Sequence, residues 1–261
     1  MSEAFTGMST LKTVLLVLFV LNLSSCKAPE PNDLHGAARM GSVRRVNKAL
    51  EMGVNVNQIE DGRTALHTAV VAGKDEVVRL LIEKGADFTL PDNDGNTPWE
   101  LVWSRNKGRL SKHEGECAVI LLESGVKPKP LEETTYLHKA ARMVDNSRLI
   151  KLLLESGLEV DARDKYGWTP LHVAANHARD ENLLALLGAD ADPNAKTTET
   201  WVETYKKGES TFERFRYEAG SKPLDVAAWG GARRGGKSVR AILKEWGATE
   251  NPDVKNKIES R

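Results

Sequence analysis

DKYGWTPLHVAA (164–175) is the stretch on which the reading of this chain turns. Its centre, Thr169-Pro170-Leu171-His172, has counterparts along the 261 residues. DGRTALHTAV (61–70) carries Thr64-Ala65-Leu66-His67. Thr97-Pro98-Trp99-Glu100 lies 33 residues after Thr64, and Thr135-Tyr136-Leu137-His138 lies 38 further on. Thr169 follows 34 later, and Lys222-Pro223-Leu224-Asp225 comes 53 after that, which implies an insert of about 20 residues on a 33-residue period. Upstream, Leu34-His35-Gly36-Ala37-Ala38 reads as the same unit without its first turn. Each unit spells two helices. Thr caps the first with its hydroxyl, and Pro fits the first turn. Leu66 and Ala69 then point inward, and small alanines let neighbouring units approach. Val77, Val78, Leu80 and Leu81 recur at helical spacing on the second helix. Gly85 supplies a left-handed residue to end it, and Asp190 takes that place in the fifth unit. No unit buries its apolar face alone, so stability must come from its neighbours.

Period and turn motif together resemble the ankyrin repeat. The resemblance implies an all-α repeat solenoid of about six helix-turn-helix units with β-hairpin fingers, spanning 33–248. Segments such as Val54-Asn55-Val56-Asn57 and Asp192-Pro193-Asn194-Ala195 lead into those fingers. It also implies a non-catalytic protein-binding module whose concave face, made of finger tips and first helices, meets a protein partner.

Two units depart from the pattern. The third has Trp99-Glu100 in place of Leu-His, then a polar insert at about 104–114 before CAVILLESG (117–125). The last is preceded by TWVETYKKGESTFERFRYEAG (200–220). Trp201, Val202, Thr204 and Tyr205, then Phe212, Phe215 and Tyr217, predict a β-hairpin turning at Lys206–Ser210, within an insert at 197–219. It either binds or merely covers the array. Residues 249–261 read as a polar tail.

Thirty-seven Lys+Arg against 37 Asp+Glu leave no net charge, and hydrophobic residues make up 40% of the chain. That composition excludes long disorder and a multi-pass membrane chain, and it removes the electrostatic case for nucleic acid. Two cysteines exclude a disulfide-dense fold. The N-terminal stretch reads as an address. Lys12 precedes TVLLVLFVLNL (13–23), a run too short to span a bilayer, which needs about 20 apolar residues. Leu23-Ser24-Ser25-Cys26 then resembles the lipobox of bacterial lipoproteins. That likeness implies a signal peptide at 1–25, lipid on Cys26, a tether at 26–32 and a periplasm-facing protein. Lys27, where an aspartate would signal inner-membrane retention, favours the outer membrane. An ordinary secretory signal with a chance cysteine is the alternative, and Met8 is a second candidate start.

Catalytic and ligand motifs have plainer readings. His35, His67, His138 and His172 recur at one position of successive units, too far apart to share a metal whose bonds are about 2.1 Å long. In the family this histidine is structural. Gly231-Ala232-Arg233-Arg234-Gly235-Gly236-Lys237-Ser238 matches a P-loop by letter. It follows a repeat helix rather than a buried strand, so nucleotide binding stands as a remote alternative. Cys117 near His113 suggests a nucleophile and base, but Cys117 opens an apolar helix face. No catalytic residue, cofactor or metal is expected, and the chain is expected to be monomeric.

Recognition is the expected function. The candidate partner-binding residues are Arg142 and Met143 of the fourth unit, and Lys165, Tyr166, Trp168, Asn176 and His177 of the fifth. Trp201 and Tyr205 of the hairpin and Trp229 of the last unit complete the set. Tyr, Trp and Arg dominate binding hot spots. Trp168 and Trp229 alternatively pack on neighbouring units. The expected roles are an immunity protein against an envelope-targeted toxin, or a scaffold or stress-related stabiliser of a periplasmic enzyme.

Overall fold

The Asp33 carboxylate accepts the Gly36 amide at 2.6 Å and so starts α1 (Leu34–Met40). From there the chain alternates short first helices with second helices. The first helices are α1, α3 (Ala65–Val71), α5 (Pro98–Ser104), α7 (Tyr136–Arg142), α9 (Pro170–Asn176) and α11 (Pro223–Val226). The second helices are α2 (Val43–Glu51), α4 (Asp75–Glu83), α6 (Lys112–Glu123), α8 (Ser147–Glu155), α10 (Asp180–Leu187) and α12 (Val239–Glu245). This computed structural model describes residues 33–104, 111–129, 135–143, 146–207, 210–227, 238–253 and 257–258, with backbone alone at 203–207, 210–215 and 257–258. Cys26, the apolar run 13–23, Trp229 and the P-loop-like segment up to Lys237 lie outside the described residues, as does the side chain of Tyr205.

First helices stack on first helices and second on second. α1 lies on α3, α3 on α5, α7 on α9 and α9 on α11; the second helices run continuously from α2 to α12. Leu66, Leu81, Leu137, Leu153, Leu171 and Leu186 are fully buried in one core that extends from Leu34 to Ala248. Thr64 and Thr135 cap their helices, as their position in the turn predicts. Gly85 and Asp190 both take the left-handed conformation, at φ 85° and 63°.

The join between α5 and α7 is aromatic. Trp99, Trp103 and Tyr136 meet with ring centroids 5.3, 5.1 and 4.9 Å apart, in the edge-on and tilted arrangements that aromatic quadrupoles favour. Lys139 of α7 donates to the Trp103 carbonyl at 3.4 Å. The insert in this unit is shorter than its composition suggests: Ser111 caps α6 through a capping box with Glu114, so Lys112–Glu114 belong to the helix. A capping box reads as loop when only polarity is counted.

α7 also ends without a glycine. Its terminal carbonyls are satisfied from α10. The fully buried Asn182 side chain donates to the carbonyls of Ala140 and Ala141, each at 3.3 Å, and of Met143 at 2.9 Å. Its Oδ1 accepts the Asn146 amide at 3.1 Å. Gly115 makes room for the α7–α8 turn on the other side. A Cβ there would lie 2.3 Å from Asn146 Nδ2 and 2.5 Å from Met143 Cε.

Fingers join the units. In the first, β1 (Ile59–Glu60) pairs antiparallel with β2 (Arg63–Thr64). Between the fifth pair of helices and the sixth the chain runs out into β3 (Trp201–Lys207) and back in β4 (Ser210–Tyr217), antiparallel, with an irregularity between Glu203 and Thr204. β5 (Lys257–Ile258) adds to β4. The described part of the polar tail is therefore tied to the array. Thr249 and Asn251 donate their amides to Asn194 and Asp225, and Asn251 Nδ2 donates to the Gly220 carbonyl.

Candidate protein-recognition surface

A ladder of histidines ties the units to one another. His67, His138 and His172 each sit three residues into a first helix, with Nδ1 2.8, 2.8 and 2.9 Å from the hydroxyls of Thr64, Thr135 and Thr169. Each Nε2 reaches the next unit, to the carbonyls of Asn96, Trp168 and Ser221 at 3.2, 2.8 and 3.1 Å. His35 does the same to the Arg63 carbonyl at 3.0 Å. The acceptor is always the residue just before the next unit's opening position. A carbonyl only accepts, so in the three threonine-paired rings Nε2 carries the proton and Nδ1 accepts from the threonine. Burial pushes all three below the ordinary histidine value, His172 to about 4. The repeated histidine is thus a structural tie between units. In the third unit Glu100 replaces it and accepts from Thr97 N at 3.0 Å and from the Thr97 hydroxyl, within its own turn.

The fifth finger turns on Asp164, whose Oδ1 accepts the amides of Tyr166 and Trp168, both at 2.9 Å. That turn presents Lys165, exposed, over the half-buried Tyr166 ring, with Nζ 5.4 Å from the centroid. Trp168 points the other way. It is 6% exposed and touches Trp201 and Tyr217 at 5.7 and 5.4 Å, while Trp201 and Tyr217 stack at 5.6 Å. Tyr217 Oη donates to Asn176 Oδ1 at 2.7 Å, which ties the root of β4 to the end of α9. Trp168 and Trp201 meet, as the sequence predicts, and the Trp168 ring is packed against the hairpin root, which is the packing alternative for that residue rather than exposure to a partner. Tyr217, expected only as a hairpin residue, is the third ring of this cluster. The signal for it was the register, which pairs it with Trp201.

The other candidates divide. Met143, 4% exposed, is buried against the Gly115 turn and is not offered to a partner. Arg142 is half-buried, and its carbonyl accepts from Arg179 Nε at 3.0 Å. Asn176 and His177, both half-buried, close α9, with His177 as its C-cap. Lys165, Tyr166, Trp201, Asn176 and His177 are therefore gathered around one finger and one helix end. Trp229 and the side chain of Tyr205 lie outside the described residues.

Cys117 packs in the core. It is fully buried, and burial raises its thiol to about 12, far from a reactive thiolate. His113 is exposed, with Nδ1 2.8 Å from an Asp75 carboxylate oxygen. Ser238, the last residue of the P-loop-like segment, caps α12 by accepting the Ala241 amide.

A family model described as "Ankyrin repeats (3 copies)" matches residues 34–129 and again 109–197. The chain belongs to the ankyrin-repeat family. Ankyrin repeats are protein-interaction modules, generally non-catalytic. Among its relatives are the nuclear factor NF-kappa-B p105 subunit of Gallus gallus, 28% identical over 202 residues, and Rabankyrin-5 of Homo sapiens, 29% identical over 219 residues. Each alignment covers 75% of this chain, against 20% and 18% of the relative, so the chain spans about a fifth of the length of the curated proteins it matches. An L-asparaginase of Dirofilaria immitis is 30% identical over 173 residues, 64% of this chain and 28% of that enzyme. That likeness is one of ankyrin region to ankyrin region and carries no catalysis here.

Proposed function

We propose that this ankyrin array of about six units is a lipid-anchored, monomeric binding module that holds a protein partner through its fifth finger and the adjoining hairpin root. One observation carries the reading. Lys165, Tyr166 and Trp201 leave a cation and two ring surfaces partly open to solvent beside the Tyr217–Asn176 bond, on a base fixed by Trp168. Aromatic rings with a neighbouring cation, immobilised before contact, lose little entropy when a partner arrives. The lipobox-like Leu23-Ser24-Ser25-Cys26 supports attachment through Cys26, with the array facing the periplasm from the outer membrane. An immunity protein that blocks an envelope-targeted toxin is the sharpest form of this function. A scaffold for a periplasmic enzyme uses the same surface with a resident partner.

The test is crosslinking and pull-down from intact cells with the wild-type chain and with the double variant Tyr166→Ala/Lys165→Glu. The expected result is a crosslinked protein that the variant no longer retains, although its melting temperature stays close to wild type. Equal recovery by both chains overturns this location of the interface.

A further inference from the structure

The first unit carries a surface that neither the repeat frame nor the fifth finger uses. α1 packs on α3 and α2 on α4. Arg39, Arg44, Arg45 and Lys48 are all exposed. None of the four has a carboxylate partner among the described residues. The nearest acidic residues on the same two helices offset them little. Asp33 is engaged in capping α1, which leaves Glu51 as the one exposed carboxylate of α2. Two large apolar side chains stand among these cations: Met40 is 55% exposed and Met52 57%. Arg45 Nη1 lies 3.4 Å from Met40 Sδ, which places the two kinds of side chain side by side.

An end unit of a solenoid needs a polar outer surface for solubility. Mixed charge would supply that. Here four exposed cations meet one exposed carboxylate, Glu51, with two exposed methionines among them, and a surface of anionic headgroups over acyl chains complements that combination. We propose that the first unit lies against an anionic lipid surface through Arg39, Arg44, Arg45 and Lys48, with Met40 and Met52 at the headgroup boundary. The inference rests on the reading of Cys26 as a lipid anchor. The seven links from Cys26 to Asp33 (33 − 26 = 7) reach at most about 25 Å when fully extended, so a lipid on Cys26 holds this unit next to the bilayer. Lipid and basic patch then act as two signals on one end of the array. The fifth finger lies four units further along the stack.

The experiment uses the full chain with Cys26→Ser, which has no lipid, and measures partition onto two kinds of vesicle: phosphatidylcholine alone, and phosphatidylcholine mixed with phosphatidylglycerol. The apolar run 13–23 contributes to both, so the difference between them reads the patch. Preference for the anionic vesicles is expected, falling as salt is raised. Arg44→Gln/Arg45→Gln in the same background is expected to weaken binding to them by at least about tenfold, since each basic side chain near such a surface contributes appreciably. Circular dichroism checks that the variant is folded, and Met40→Ser/Met52→Ser, which leaves every charge in place, should lower binding to the anionic vesicles less. Equal partition onto the two vesicle types overturns the proposal, as does a folded Arg44→Gln/Arg45→Gln variant that binds like its parent. Intact mass of the wild-type chain from membranes tests the lipid separately. An unmodified Cys26 removes the anchor, and the vesicle result is read independently of it.

Discussion

His172 is enclosed between Thr169 and the Ser221 carbonyl with no contact to solvent. Its value in the folded chain is depressed to about 4 from the ordinary 6.5, chiefly by burial, and His67 and His138 are shifted the same way. As pH falls, the unfolded chain therefore takes up protons before the folded one. The histidine contribution to stability is whole above 6.5 and declines as pH drops toward 4. Urea midpoints across that window should fall, and His172→Gln should show a shallower fall; equal slopes would mean that His172 is solvated. Leu66→Ala and Leu171→Ala should each lower unfolding free energy by about 2–5 kcal/mol, because both side chains are fully buried. Trp168→Ala should cost about 3–5 kcal/mol. Trp168→Phe, which keeps a ring against Trp201 and Tyr217 and removes an indole N–H that has no acceptor among the described residues, should cost much less. Thermal unfolding of the pair separates a packing tryptophan from one that serves a partner alone.

Among the elements, the turns within the fourth and fifth helix pairs are the most informative. The turn after α7 has no glycine, and Asn182 of α10 serves its carbonyls from the neighbouring pair. Asn182→Ala should cost about 2 kcal/mol or more, since orphaned buried carbonyls each carry a desolvation penalty. Amide exchange should quicken at the end of α7 and the start of α8 before it quickens elsewhere. The turn after α9 solves the same problem with strain: Ala178 sits at φ 50°, where the second unit has Gly73 at φ 61°. Ala178→Gly should leave stability unchanged or raise it by up to about 1 kcal/mol, because left-handed backbone is costly for a residue with a Cβ. A loss of more than that would mean that the Ala178 methyl is itself packed.

For the whole molecule the decisive question is where the array is held. Cys26→Ser should release the protein from membranes or leave its signal uncleaved, and detergent partitioning with intact mass reads either outcome. Wild-type protein carrying an unmodified Cys26 would remove the lipid anchor. Added nucleotide should not shift the melting temperature, whereas a shift that grows with nucleotide concentration would revive the P-loop reading of 231–238. The array is a one-dimensional stack, so damage at the first unit should spread poorly to the fifth. Substitutions at Arg44 and Arg45 should therefore leave partner capture by the fifth finger intact.

The sequence by itself determined the repeat. Thr-Pro-Leu-His with its period sets helix starts, and the spacing of Val77, Val78 and Leu81 sets the buried face, because capping and helical periodicity are local properties carried by a few residues. It also marked Asp190 as a left-handed residue and the histidine as structural. The destination of side chains between units was decided by tertiary structure alone. Trp168 and Tyr166 share one finger, yet Trp168 is buried by a hairpin root that begins more than thirty residues later, while Tyr166 stays half-exposed. Met143 reads as surface by position and is buried because Gly115 of the preceding unit leaves room for it. Asn182 reads as a polar residue on an amphipathic helix, and only its approach to α7 turns it into a cap. Burial in a solenoid is created by the neighbouring unit, so a single unit's letters specify its helices but not which of its exposed groups the next unit will cover.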